Sequence, residues 1–144
     1  MKKLLLFPLC LIFIFCQQEK KTVPLAEPKK AKKFEMYQMS EMSALMEQMY
    51  VDNKRLAERI KNGDTIGAFP NHFLNIHKAV MTDDKENDAF FKEQAAIFIK
   101  AQQLIYEDPK NAKTHFNEGV SACVNCHQVK CQGPIPRIKK LYID

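Results

Sequence analysis

Glycine is scarce in this chain, at 4 of 144 residues. No Gly-rich phosphate loop is present, so nucleotide binding of that kind has no support. Alternating apolar and polar runs rich in β-branched residues are also missing, which argues against a sheet. There is no internal repeat. No nucleophile stands beside a base and an orienting group, so an enzyme's machinery is not visible and none is expected. The body of the chain also lacks an excess of one charge. The formal net charge is +5, but 8 of the 22 basic residues lie within the first 33 positions. From Phe34 to Asp144 there are 14 basic and 15 acidic residues. That part is near neutral, so no nucleic-acid partner is expected.

The N-terminus reads as an address. Met1-Lys2-Lys3 is a short basic start, and Leu4 to Phe15 is an apolar stretch too short to span a bilayer comfortably. Residues 1–15 are therefore expected to be an export signal. The abrupt change at Cys16 resembles a bacterial lipoprotein signal, with Cys16 lipidated and first in the mature chain. Phe15 is larger than the small residue such sites prefer. Residues 16–33 hold Pro24, Pro28 and many lysines, a composition that suits a disordered tether near an anionic membrane surface. The expected location is the periplasm or cell surface, with the membrane reached through a lipid anchor. Residues 34–144 are expected to form one domain.

Apolar residues in that domain recur at helical spacing. Met39, Met42, Met46, Met49, Asn53, Leu56 and Ile60 follow a 3-4 spacing, which predicts a helix from about Phe34 to Lys61, ended by Gly63. A second, over about Pro70 to Met81, would bury Phe73, Ile76 (or His77) and Val80. A third is predicted to start near Asp83, where Asp83 and Glu86 make a capping-box pattern, with Phe91, Ala95, Phe98, Gln102 and Ile105 as its stripe and Phe90, Ile97 and Leu104 widening it. Asp108-Pro109 opens a fourth, running to about Val129 with Phe116, Gly119, Val120, Cys123, Cys126 and His127 on one face. Gly133, Pro134 and Pro136 are expected to forbid further helix. Short connections imply an all-α, antiparallel up-down-up-down four-helix bundle.

Cys123-Val124-Asn125-Cys126-His127 is the C-x-x-C-H pattern of covalent haem attachment. Two thiols one turn apart can form thioethers with the two vinyl groups of one haem c, and the adjacent histidine becomes the proximal iron ligand. The pattern near the end of the fourth helix would set the haem there. A zinc site would recruit Cys131 beside Cys123, Cys126 and His127, but adjacent ligands strain a tetrahedral structural site. A thioredoxin-like dithiol wants a βαβ context that is absent. Cys131 itself is left over, as a free thiol, a bridge or a small packed residue.

Over residues 34–130 this arrangement resembles the cytochrome c-prime family: four helices with C-x-x-C-H late in the last. The resemblance implies a haem held in the bundle by Cys123, Cys126 and His127, with Lys130 as the basic residue that follows the proximal histidine. It also implies a homodimer as one assembly. The tail from Cys131 to Arg137 and a lipid tether fall outside the family pattern. Members of the family differ at the iron's other face, which is either open or held by a methionine of helix one. Antiparallel packing sets that face against the first turns of helix one. At 1.5 Å per residue, Met49 stands about 15 Å beyond Met39, so Met39 is favoured, with Met42 next and Met46 and Met49 too far. His77 is a weaker distal alternative, and Phe34 would cover an open face. His72 and His77 do not share a helix face, and His115 is expected at the surface or near a haem propionate. The expected function is a one-haem, membrane-tethered electron carrier that meets a redox partner protein. The alternatives are a five-coordinate haem that binds nitric oxide or carbon monoxide, and a structural zinc or thiol protein.

Overall fold

A computed structural model describes residues 36–144. The expected signal, Cys16 and the tether lie outside the described residues, as does Phe34. Residues 36–144 form one compact, all-helical unit. Among the described residues, no helix is long and apolar enough to cross a membrane.

Three long helices carry the unit: α1 (Glu41–Asn62), α2 (Ala89–Glu107) and α3 (Ala112–Lys130). α1 starts later than the apolar spacing alone predicts, because Ser40 caps it. The Ser40 hydroxyl accepts from the Ser43 N–H at 3.2 Å. Its end is a left-handed Gly63, φ 71°, with the Asp64 N–H returning to the Arg59 carbonyl at 2.9 Å. α2 is capped by Asp88, which accepts from the Phe91 N–H at 2.9 Å. Asp83 caps only a single 3-10 turn, Asp84–Glu86, so the expected capping box belongs to that turn and not to the helix. A 3-10 turn at Pro109–Asn111 leads into α3.

The expected second α-helix is a 3-10 segment, Asn71–His77. Its buried residues, Phe73 and Ile76, are three apart, and the three-residue turn of a 3-10 helix sets such positions on one edge. Val80, expected inside, is 56 % exposed. The chain has left the helix there to pair with the start of α1. The Val80 carbonyl accepts from the Met42 N–H at 2.9 Å, and its N–H donates to Glu41 Oε2 at 3.1 Å.

The tail also departs from expectation. Pro134 and Pro136 do not prevent a short helix α4 (Ile135–Ile138), because proline is tolerated in a first turn that needs no N–H donor. A 3-10 turn, Lys139–Leu141, follows. Ile138, Leu141 and Ile143 are buried against Leu56 and Phe116. The Asn117 side chain fastens the tail to α3 by giving to the Ile143 carbonyl (2.8 Å) and taking from its N–H (2.9 Å).

The main stripes predicted for α2 and α3 are buried, but Ile97, expected to widen the first, is 46 % exposed, and Cys123, Cys126 and His127 are half-buried. Phe91, Ala95, Phe98, Gln102 and Ile105 face inward from α2, and Phe116, Gly119 and Val120 from α3. Each large apolar side chain so buried contributes roughly 1.5–3 kcal/mol. Two polar side chains join this core. Gln102 gives its amide N–H to Asn53 Oδ1 at 2.7 Å, and Asn53 gives its own to the Met49 carbonyl at 2.8 Å. A Cβ at Gly119 would lie 3.1 Å from Gln102 Nε2, so the bare backbone of α3 is what admits this pair. Since Gln102 is held by Asn53 it cannot retreat. Gly119→Ala is therefore expected to destabilise the fold by about 1–3 kcal/mol in urea denaturation, overriding the gain of about 1 kcal/mol in helix propensity.

Candidate functional site

Cys123, Cys126 and His127 lie on the last turns of α3, at positions i, i+3 and i+4 of one face. All three are half-buried. The His127 Nδ1 lies 2.7 Å from the Cys123 carbonyl oxygen. A carbonyl only accepts, so Nδ1 carries a proton, and in the neutral ring the lone pair is on Nε2. The ring is thereby oriented and its tautomer chosen by the backbone of its own helix.

Two clefts meet at this helix end. The larger, of about 350 Å³, is bordered by Met42, Met46, Phe91, Cys126, His127 and Cys131 among others. The smaller, of about 70 Å³, is bordered by Met46, Met49, Cys123 and His127, with Arg137 and Leu141 of the tail. Met46, Glu47, His127 and Pro134 border both and form the wall between them. Since Cys123 opens on one cleft and Cys126 on the other, a single group bonded to both has to span that wall.

The thiols are not equivalent. Burial pushes Cys123 up to about 12, with the neighbouring Cys126 adding to the shift. Burial also raises Cys126. Cys131 is exposed, just beyond the helix end. Lys130 draws the end of α3 to the start of α2, pairing with Glu86 at 2.8 Å and with Asp88. The hydrogen bond from Lys130 holds the Asp88 carboxyl below its usual range, and Asp88 raises the Lys130 ammonium in turn.

The structure does not bring every expected residue to this place. Met39 precedes α1, is 53 % exposed and borders neither cleft, whereas Met42 and Met46 border the cleft with His127. Met46 was expected to lie too far along the helix. Because α1 begins only at Glu41, it stands in the second turn and faces the wall. Of the weaker candidates, His77 is exposed and His72 is turned to Asp52 at 2.9 Å. His115 is held by Asp108 and Glu118, and the Asp108 hydrogen bond raises it first. Among the described residues, no three of His, Cys, Asp and Glu converge to hold a metal ion. The four zinc candidates are thus not gathered: Cys123 packs into the core while Cys131 faces outward.

The tail's part in the site was not anticipated from the sequence. Pro134, Arg137, Ile138 and Leu141 all border the smaller cleft. The signal was present in Ile135, Ile138 and Leu141, three residues apart, which mark one edge of a tight helix. Comparison with protein-family models, curated proteins and solved structures finds no match.

A thiol needs its thiolate to react with an alkylating agent. In the folded chain without a bound group, alkylation of Cys131 at neutral pH is expected to be fast and that of Cys123 slow. The Cys123 rate should go on rising about tenfold per pH unit up to about pH 12. Mass spectrometry of peptides after timed iodoacetamide treatment checks this. Equal rates at the two thiols would show that Cys123 is not shielded.

Proposed function

We propose that this chain is a mono-haem c-type cytochrome that carries electrons while tethered to a membrane. The observation that carries this reading is the hydrogen bond from His127 Nδ1–H to the Cys123 carbonyl. It leaves Nε2 free beside two clefts, one bordered by Cys123 and the other by Cys126. A metal-ligating histidine needs that second N–H bond to fix its ring and raise its basicity. Cys123 and Cys126 would hold the haem by thioethers and His127 would be the proximal ligand. When bound, haem supplies a reversible one-electron couple. The chain's own work is to orient the ring, exclude water and set the potential.

The surroundings suit that work. Phe91, Phe98 and Leu141 give the clefts apolar walls. Met42 and Met46 border the same cleft as His127, and either would be a soft distal ligand that favours the ferrous state. Met46 is the first choice because it borders both clefts. The path of the chain supports the four-legged, up-down-up-down arrangement of the c-prime resemblance. Its legs would be α1, the 3-10 return over Asn71–His77, α2 and α3, with the tail as an added cover. Export, lipidation at Cys16, a redox partner protein and a homodimer complete the proposal. No bond-making chemistry is assigned, so the protein is read as a carrier and not an enzyme.

A second reading, a five-coordinate haem that binds nitric oxide or carbon monoxide, is favoured by the exposure of Met39. If Met42 and Met46 only pack, the iron keeps an open face. The visible spectrum of the exported, purified protein separates the two. The expected result is a low-spin ferrous spectrum that carbon monoxide does not change, with Met46→Ala converting it to a high-spin, carbon-monoxide-binding form. Carbon monoxide binding by the parent protein would favour the second reading. Zinc without haem, after expression with a haem-attachment system, would sink both.

A further inference from the structure

The tail brings a cation to the smaller cleft. Arg137 of α4 borders it together with Cys123 and His127, and is the one arginine or lysine on its wall. Its guanidinium is held from two directions by α1. Nη1 and Nη2 donate to Glu47 Oε1 and Oε2 at 2.8 and 2.9 Å. The same guanidinium stands 3.9 Å over the Tyr50 ring. Glu47 and Tyr50 are one turn apart on α1, so one helix face both pairs with the fork and supports it. Two of the five guanidinium N–H groups meet Glu47, so the fork has further donors for another acceptor. The larger cleft is different. Its cation, Lys130, is already shared between Glu86 and Asp88, and Asp83 and Glu86 border the same space.

Haem carries two propionate carboxylates. A carboxylate taken into a half-buried apolar cleft without a cation is driven toward protonation. We propose that Arg137 receives one haem propionate, with Glu47 and Tyr50 holding the guanidinium in place for it. This rests on the haem reading above. Arginine suits the task because its planar fork takes a carboxylate on two bonds, and Glu47 already shows that geometry. Arg137 is then a positioning residue. It holds one edge of the ring and keeps a negative charge near the iron. The tail, which lies outside the c-prime pattern, becomes part of the site.

The test is a redox titration of the haem-loaded, exported protein from about pH 5 to about pH 9, for the parent, Arg137→Gln, Arg137→Lys and Glu47→Gln. An ionised propionate favours the oxidised iron, so the midpoint potential falls as pH rises through the propionate pKa. Removing the guanidinium is expected to move that inflection upward by about one to three pH units. Arg137→Lys should move it less. Glu47→Gln, which releases the fork from its own carboxylate, should leave it unmoved or lower it. The other titratable groups on this wall are Glu47, Tyr50, Cys123 and His127. The last two are taken up by haem, so Glu47→Gln is the control for the remaining acid. If Arg137→Gln does not fold, a shift in the Arg137→Lys curve decides in favour. A haem-loaded Arg137 variant whose curve superposes on the parent overturns the proposal and leaves the haem reading intact. A chain that carries no haem in a pyridine haemochrome assay overturns both.

Discussion

Cys123 stands where two halves of the core meet. One half gathers Leu56, Ile105, Phe116 and the tail residues Ile138 and Leu141. The other gathers Met42, Met49, Phe73, Phe91 and Phe98. Cys123 packs against both. The helix that seals the core therefore also carries Cys123, Cys126 and His127, and they continue the same stripe. Phe116 and Val120 bury the first part of the stripe, and Cys126 and His127 leave its last turn half-buried. α3 could not rotate to hide its cysteines fully without exposing Phe116, nor to expose them without opening the core.

The polar pair Asn53–Gln102 fixes α1 against α2 in register. An isolated amide–amide bond adds only about 1 kcal/mol. Its value lies in the alternatives it penalises, because a shift of either helix by one residue leaves the Gln102 amide N–H and the Asn53 Oδ1 without each other. Gln102 Oε1 already has no partner among the described residues, so the site tolerates no further loss. Holding α1 in this register keeps Met42 and Met46 opposite the end of α3. The Lys130 ion pairs draw α3 toward α2 from the other side.

Much of this was legible in the sequence. The stripes of α1 and α2 could be read because each presents apolar residues at a three-to-four spacing with a single buried polar exception. Asn53 and Gln102 both emerged as seam positions for that reason. Three features were not legible. The start of α1 was hidden because Met39 continues the apolar period, while the backbone obeys the Ser40 cap. The second helix was drawn too long because Val80 also keeps the period, but its N–H and carbonyl are taken by α1. The tail was dismissed because proline and glycine dominate its start, although a proline in a first helical turn costs little. In each case a local hydrogen bond decided a boundary that hydrophobic spacing left open. Of the site, the motif on α3 was legible and its walls were not, since those depend on where the tail returns.

The return of the tail has a consequence for the order of assembly. Ile138, Leu141 and Ile143 close over the side of α3 that carries Cys123, and Asn117 latches them by two bonds to a single residue. Once that latch is made, Cys123 is a packing residue whose thiol holds its proton. A covalent partner of Cys123 would be joined most readily while residues 131–144 are still undocked. On the haem reading, docking of residues 131–144 would thus set the order of events, with the open helix modified before this segment folds down over it.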